Sequence, residues 1–223
     1  MGSSFTRFYG TEVPRLLKNL DYEDKRVLDL GAGDGEVLYG LYRKLIKAGT
    51  ITAVEISKDR CDNIERELPE ANVKCEDATN TKLYSEWYDI VICNQVIEHI
   101  EEENKLLGEI YRLLNKGGVC FLSTVYKERF NFGYYWNKKG ERMLDPTHVR
   151  EYTDISLLIK LRNMFNEVYS LKIPMWFSIT DFILPRLGIQ GHIYETNWLL
   201  RMLRKIKLPV LGYYTWELLL WKS

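Results

Sequence analysis

No apolar run in this chain is long enough to cross a bilayer as a helix, and the N-terminus MGSSFTRFYG lacks the hydrophobic centre of a secretion signal. On that reading the protein is cytoplasmic. Net charge is also missing: 31 Lys and Arg offset 31 Asp and Glu, which removes chain-wide attraction to nucleic acid as a basis for function. The four cysteines, Cys61, Cys75, Cys93 and Cys120, form no CxxC pair. They read as reduced, buried thiols rather than a metal site or disulfides. Histidine is scarce, with only His99, His148 and His192 available for proton transfer near neutral pH. There is no internal repeat, low-complexity tract or flexible linker. What remains is 223 residues, 46% hydrophobic, enough for one substantial core with an appended subdomain.

The most informative stretch is VLDLGAGDGEV at 27–37, a short apolar run that breaks into Gly31, Gly33 and Gly35 before a helical pattern. Glycines there allow a sharp turn and close approach of a ligand, and the following helix directs free N–H groups at the same place. A nucleotide-like cofactor is implied. The dinucleotide fingerprint GxGxxG needs a small residue at position 36, where this chain has Glu36. Asp34 and Glu36 would also repel a pyrophosphate, so a dehydrogenase is disfavoured. A second β-type run, ITAVEIS, ends in Glu55 and Ile56, where a carboxylate can accept from both ribose hydroxyls. Strand patterns near 26–30, 51–55, 72–75, 88–93 and 117–125 alternate with helical patterns near 35–47, 58–68 and 98–114, the last ended by Gly117 and Gly118. This alternation predicts parallel pairing with ligands beyond the carboxyl ends of the strands.

At these positions the sequence resembles the class I S-adenosylmethionine-dependent methyltransferases, closest to the small-molecule enzymes that modify ubiquinone precursors and sugars. The glycine segment and Glu55 carry the likeness. So do Glu76-Asp77-Ala78 after the NVKC strand and Asn94-Gln95-Val96-Ile97-Glu98-His99 after YDIVIC. The resemblance covers about 25–125 and implies a three-layer α/β Rossmann-like fold with a mostly parallel seven-stranded sheet, the last strand antiparallel, plus a helical cap. It implies S-adenosyl-L-methionine as cofactor, held by Asp29, Gly31, Gly33, Glu55, Ile56, Asp77, Ala78 and Asn94.

The remainder of the chain must select the acceptor. The single domain of 1–223 divides into an N-terminal helix or lid (1–24), the cofactor core (25–125), a lid insert (126–152) and a second helical insert (173–212) before a last strand over 213–221. The lid is rich in aromatics: Tyr126, Phe130, Phe132, Tyr134, Tyr135 and Trp136. These suggest a partly apolar acceptor. Its end, DPTHVREY at 145–152, resembles the DxTHVRxxT segment of the same methyltransferases and singles out His148 and Tyr152. His148 is read as acceptor ligand or general base against a purely structural role, and His99 as positioning the cofactor loop or acting in catalysis. A metal is not expected, because Glu98 and His99 are helical neighbours whose side chains should diverge.

In the second insert FSITDFILPRLG and TNWLLRMLRKIK are helical patterns. The latter is basic and amphipathic and reads as a solvated cap or a homodimer contact, with a membrane surface, a lipid-linked substrate or RNA as alternatives. The expected function is methyl transfer to an oxygen or nitrogen of a small, partly apolar molecule. NQVIEH departs from the [ND]PPY segment that accompanies methylation of exocyclic base amines, so nucleic acid is disfavoured. An RNA or lipid-linked acceptor, and a non-catalytic cofactor-binding subunit, are the alternatives.

Overall fold

The computed structural model describes residues 13–178 except 132, 134 and 137–139, residue 180, and residues 197–223. Its centre is a seven-stranded sheet in the order β3-β2-β1-β4-β5-β9-β8. Strands β1 (Arg26–Leu30), β2 (Thr50–Glu55), β3 (Asn72–Cys75), β4 (Tyr88–Asn94) and β5 (Leu114–Lys127) pair in parallel, while β9 (Lys207–Trp221) runs antiparallel to both β5 and β8 (Glu167–Ser178). Central strands covered on both faces must be apolar throughout. Accordingly β4 buries Ile90, Val91, Ile92 and Cys93 in succession.

Helices form where apolar residues recur at a 3.6-residue period. α1 (Glu36–Leu45) buries Val37, Leu38, Leu41 and Leu45 and packs with α2 (Lys58–Glu67) on one face of the sheet. α3 (Glu103–Leu113) and α4 (Ser156–Met164) cover the other with Leu106, Leu107, Ile110, Leu157 and Leu161. This gives three layers, with an apolar core on each face of the sheet and a third, smaller buried cluster of Val125, Leu144, Val210 and Tyr213 among the described residues. Cys61, Cys93 and Cys120 are buried free thiols as expected, whereas Cys75 is exposed.

Several local expectations change. The helix expected over 98–114 begins only at Glu103, and Ile97–His99 forms a separate 3-10 turn. Gly117 and Gly118 do not end α3. They lie inside β5 and pair with the chain end through Gly117 N to Lys222 O at 2.7 Å and Lys222 N to Gly118 O at 3.1 Å. The buried Lys222 ammonium closes α3 instead, donating to Tyr111 O at 2.9 Å and Leu114 O at 2.8 Å, where a helix C-terminus favours positive charge. Of the N-terminal helix expected within 1–24, the described residues form one 3-10 turn, Leu17–Asn19. Pro14 withholds an N–H, and the Arg15 and Leu16 N–H groups bond to the buried Glu217 carboxylate at 3.0 and 2.8 Å rather than to a helix. The lid contains a two-stranded hairpin, β6 (Tyr135–Trp136) with β7 (Arg142–Met143).

The second insert is shorter than expected because the strands flanking it are longer. β8 and β9 continue past the body of the sheet as a hairpin in which Ser178 pairs with Lys207. Phe177 and Ser178 therefore belong to β8. The rest of the first inserted helical pattern lies outside the described residues apart from Thr180, and the second pattern forms α5 (Trp198–Arg204).

Candidate cofactor cleft and acceptor end

A cleft of about 620 Å³ opens at the carboxyl ends of β1, β2, β3 and β4, and all of the proposed cofactor residues line it: Asp29, Gly31, Gly33, Glu55, Ile56, Asp77, Ala78 and Asn94. The first turn is built by backbone bonds across strands, with Gly31 and Ala32 N–H donating to Val54 O at 2.8 and 2.9 Å. Gly31 sits at φ +82°, and a Cβ there would lie 2.6 Å from Val96 Cγ2. The position therefore demands glycine twice, by conformation and by space. Glu55 is buried, and its carboxylate accepts from Gly33 N–H at 3.0 Å and Ser57 N–H at 2.9 Å. Each oxygen keeps a lone pair for a further donor. Asp77 is held by the Thr79 N–H and hydroxyl, both at 2.8 Å, and Asn94 Oδ1 accepts from Ser123 Oγ at 2.7 Å.

Asp29 is buried with one oxygen, Oδ2, unpartnered. Burial, reinforced by the nearby Glu55 charge, pushes its carboxyl up to about 7. A carboxyl that binds its proton more tightly when folded than when unfolded stabilises the fold at low pH and costs stability as pH rises from about 4 through about 7. Asp29→Asn is therefore expected to flatten the fall in unfolding free energy between about pH 5 and about pH 8. Urea unfolding at both pH values checks this. An unchanged slope in the variant contradicts the assignment.

Arg60, Gln95, Val96 and Thr147 are among the lining residues not expected as site residues. Arg60 reaches across the cleft mouth to Asp34 at 3.8 Å and Glu55 at 3.9 Å. Gln95 has φ +56°, an uncommon conformation for a non-glycine residue and one that concentrates at functional sites. Val96 faces Gly31, and Thr147 arrives from the lid.

Around His99, at the edge of the cleft, three side chains converge. Glu98, His99 and His148 each offer a ligand atom within 4.8 Å of the others. The expected divergence of Glu98 and His99 does not hold, since they sit in a 3-10 turn and His148 closes the group from another segment. Such a cluster can hold a proton, and its donor set is also one a cation could use. Glu98 is fully buried, accepts from Thr124 Oγ1 at 3.1 Å, and is pushed up to about 7, chiefly by burial. Surrounding protein and then the His148 charge lower the His99 pKa. The two imidazoles meet edge to face with centroids 4.9 Å apart. His148 is buried and its Nδ1 lies 2.8 Å from Glu151 Oε1, which also accepts from Leu144 N–H at 2.6 Å. Lys127 Nζ stands 3.5 Å from the other Glu151 oxygen. Arg150 fastens the turn, donating to Ile97 O at 3.1 Å, to Ile100 O, and to Glu101 O at 2.6 Å.

Tyr152 does not join this group. Its hydroxyl donates to Glu103 Oε2 at 2.6 Å, its ring packs on Trp216, and burial raises its pKa. Of the described lid aromatics, Phe130, Tyr135 and Trp136 are exposed and Tyr126 is half-buried edge-on against Trp216, and none of them lines the cleft. Phe132, Tyr134 and His192 lie outside the described residues.

Comparison with known proteins agrees with this geometry. Residues 28–122 match the family model described as a methyltransferase domain. Arsenite methyltransferase of Mus musculus is 29% identical over 137 residues, covering 54% of this chain and 35% of that protein. Ubiquinone biosynthesis O-methyltransferase of Coxiella burnetii is 28% identical over 123 residues, covering 53% of this chain and 50% of that protein. The chain thus spans half or less of the length of these curated relatives. Among solved structures, a SAM-dependent methyltransferase from Archaeoglobus fulgidus superposes with a TM-score of 0.60 at 20% identity, covering 92% of this chain and 90% of that one, a likeness of fold. Sheet order, the glycine turn at the end of β1 and the family match coincide: residues 28–122 are a methyltransferase domain, in a chain similar to class I S-adenosylmethionine-dependent methyltransferases.

Proposed function

We propose that this protein transfers the methyl group of S-adenosylmethionine to an oxygen or nitrogen of a small molecule. The observation that carries the reading is one continuous cleft that begins at the cofactor carboxylates Glu55 and Asp77 and ends at His99 and Thr147, beside the buried His148. The residues fit the cofactor. Glu55 has free lone pairs for the ribose hydroxyls, Asp77 and Ala78 stand where the adenine would lie, and Gly31 and Gly33 leave room for backbone approach. The unpartnered Asp29 oxygen offers an acceptor at the amino-acid end. Bound there, the sulfonium cofactor supplies an already activated methyl group.

The protein's own work is alignment, exclusion of water and removal of the acceptor proton. Glu151 engages His148 through Nδ1, which leaves Nε2 as the basic nitrogen of that ring, and Lys127 balances the carboxylate. His148 is accordingly the general base and Glu151 its positioning partner. The names of the curated relatives, an arsenite and a ubiquinone-biosynthesis enzyme, support a small acceptor.

With an acceptor found by screening phenols, quinone precursors, sugars and lipid-linked compounds, His148→Ala is expected to lower kcat by about 10²-fold or more. Cofactor affinity should stay within about twofold. Production of S-adenosylhomocysteine and calorimetric titration measure the two quantities. Full turnover in the variant excludes His148 as base, and a collapse of cofactor affinity reassigns it to structure.

A further inference from the structure

An amphipathic helix on a folded domain ordinarily turns its apolar face inward. α5 does the opposite. Trp198, Leu199, Met202 and Leu203 occupy positions i, i+1, i+4 and i+5, which form one face, and all four are exposed, Trp198 at 71% and Met202 at 57%. Ile206, Leu208 and Leu211, and Trp176 on the paired strand, are exposed as well. From Asn197 to Trp216 the sequence contains Arg201, Arg204, Lys205 and Lys207 and no acidic residue, in a chain of zero net charge.

The location is informative as well. Lys127, the last residue of β5, pairs with Tyr213, and Glu128 N–H bonds to Gly212 O at 2.8 Å. The hairpin arm bearing Lys207 and Leu211 therefore runs on beyond the carboxyl end of β5, the end of the sheet at which the cleft opens.

We infer that this end of the molecule docks on an anionic membrane surface, with the apolar face of α5 among the acyl chains and Lys205 and Lys207 at the headgroups. Cations beside a row of Leu, Met and Trp suit a bilayer interface, where both kinds of group find partners. Phosphates of RNA would engage the cations and leave the aliphatic side chains in water. A two-fold contact with a second copy would bring the basic segments together without acidic residues of their own to offset them. No helix among the described residues is long and apolar enough to cross a membrane, so α5 lies on the surface.

The test is co-sedimentation of the full chain with vesicles of phosphatidylcholine alone and of phosphatidylcholine with phosphatidylglycerol. The chain is expected to sediment with the anionic vesicles, weakly with the neutral ones, and less as salt is raised. Leu199→Ser/Met202→Ser and, separately, Lys205→Glu/Lys207→Glu should each reduce partition about tenfold or more. Because these side chains are exposed, both variants should keep the circular dichroism of the parent and its calorimetric affinity for S-adenosylmethionine. A chain that binds the cofactor yet stays in the supernatant with anionic vesicles overturns the inference. So does equal sedimentation of the variants. Vesicle binding without cofactor binding upholds the docking surface and removes the methyltransferase reading instead.

Discussion

Replacing Glu55 with Ala should weaken binding of S-adenosylmethionine about a hundredfold or more. Two charge-assisted hydrogen bonds to ribose hydroxyls, each worth about 1.5–3 kcal/mol, account for that loss. A second effect acts in the same direction. The carboxylate already joins the glycine turn to the residue after β2, through Gly33 N–H at 3.0 Å and Ser57 N–H at 2.9 Å. Its removal frees two backbone donors at the point where the cofactor must be gripped. Glu55→Gln separates the contributions: its oxygen can serve one N–H, while its amide nitrogen faces the other, so intermediate affinity is expected. Calorimetric titration of both variants measures the series. Affinity within about threefold of the parent in Glu55→Ala would mean that the ribose lies elsewhere.

Among the three glycines of the first turn, Gly31→Ala should be the most damaging to the fold. The φ of +82° costs an L residue about 1–2 kcal/mol, and the new Cβ would stand 2.6 and 3.0 Å from the two Val96 methyl carbons. Overpacking of that kind adds about 1–3 kcal/mol, so a loss near 3 kcal/mol in urea unfolding is expected. Val96→Ala in the same chain should return the steric part and leave the conformational part, giving a coupling of about 1–2 kcal/mol. Gly33→Ala is the contrast. Nothing stands within 4 Å of its Cβ and φ is +58°, so stability should fall by only about 1 kcal/mol, while cofactor affinity falls because the methyl enters the cleft. Equal losses of stability at the two positions would contradict the assigned packing of Val96 on the turn.

The cofactor half was legible because its signals are local. Each strand end carries its own residues, Gly31 and Gly33 after β1, Glu55 after β2, Asp77 after β3 and Asn94 at the end of β4, and parallel pairing brings all of those ends together. The acceptor half depends on approaches that spacing does not encode. Thr147 and His148 reach His99 across 48 residues of chain or more, and the carboxylate that orients His148 comes from a loop in which no helical periodicity announces it. The error over Glu98 and His99 arose from assuming a regular helix where a 3-10 turn intervenes.

The long β8–β9 hairpin was obscured for a different reason. Pro174 and Pro209 interrupt what otherwise reads as strand, and proline argues against an interior position. Both are accommodated. β8 is the sheet edge with a register shift between Pro174 and Trp176, and Pro209 lies beyond the point at which β5 stops pairing with β9.

The most direct measurement is calorimetric titration of the purified chain with S-adenosylmethionine and S-adenosylhomocysteine, with NADH as the control ligand. Binding of both sulfur compounds in the micromolar range (Kd of order 1–100 μM), with none of NADH, is the result expected of a cleft with Glu36 where the dinucleotide fingerprint has its third glycine. Failure to bind either compound, or preference for NADH, would contradict the proposed cofactor and the roles assigned to Glu55, Asp77 and His148 with it.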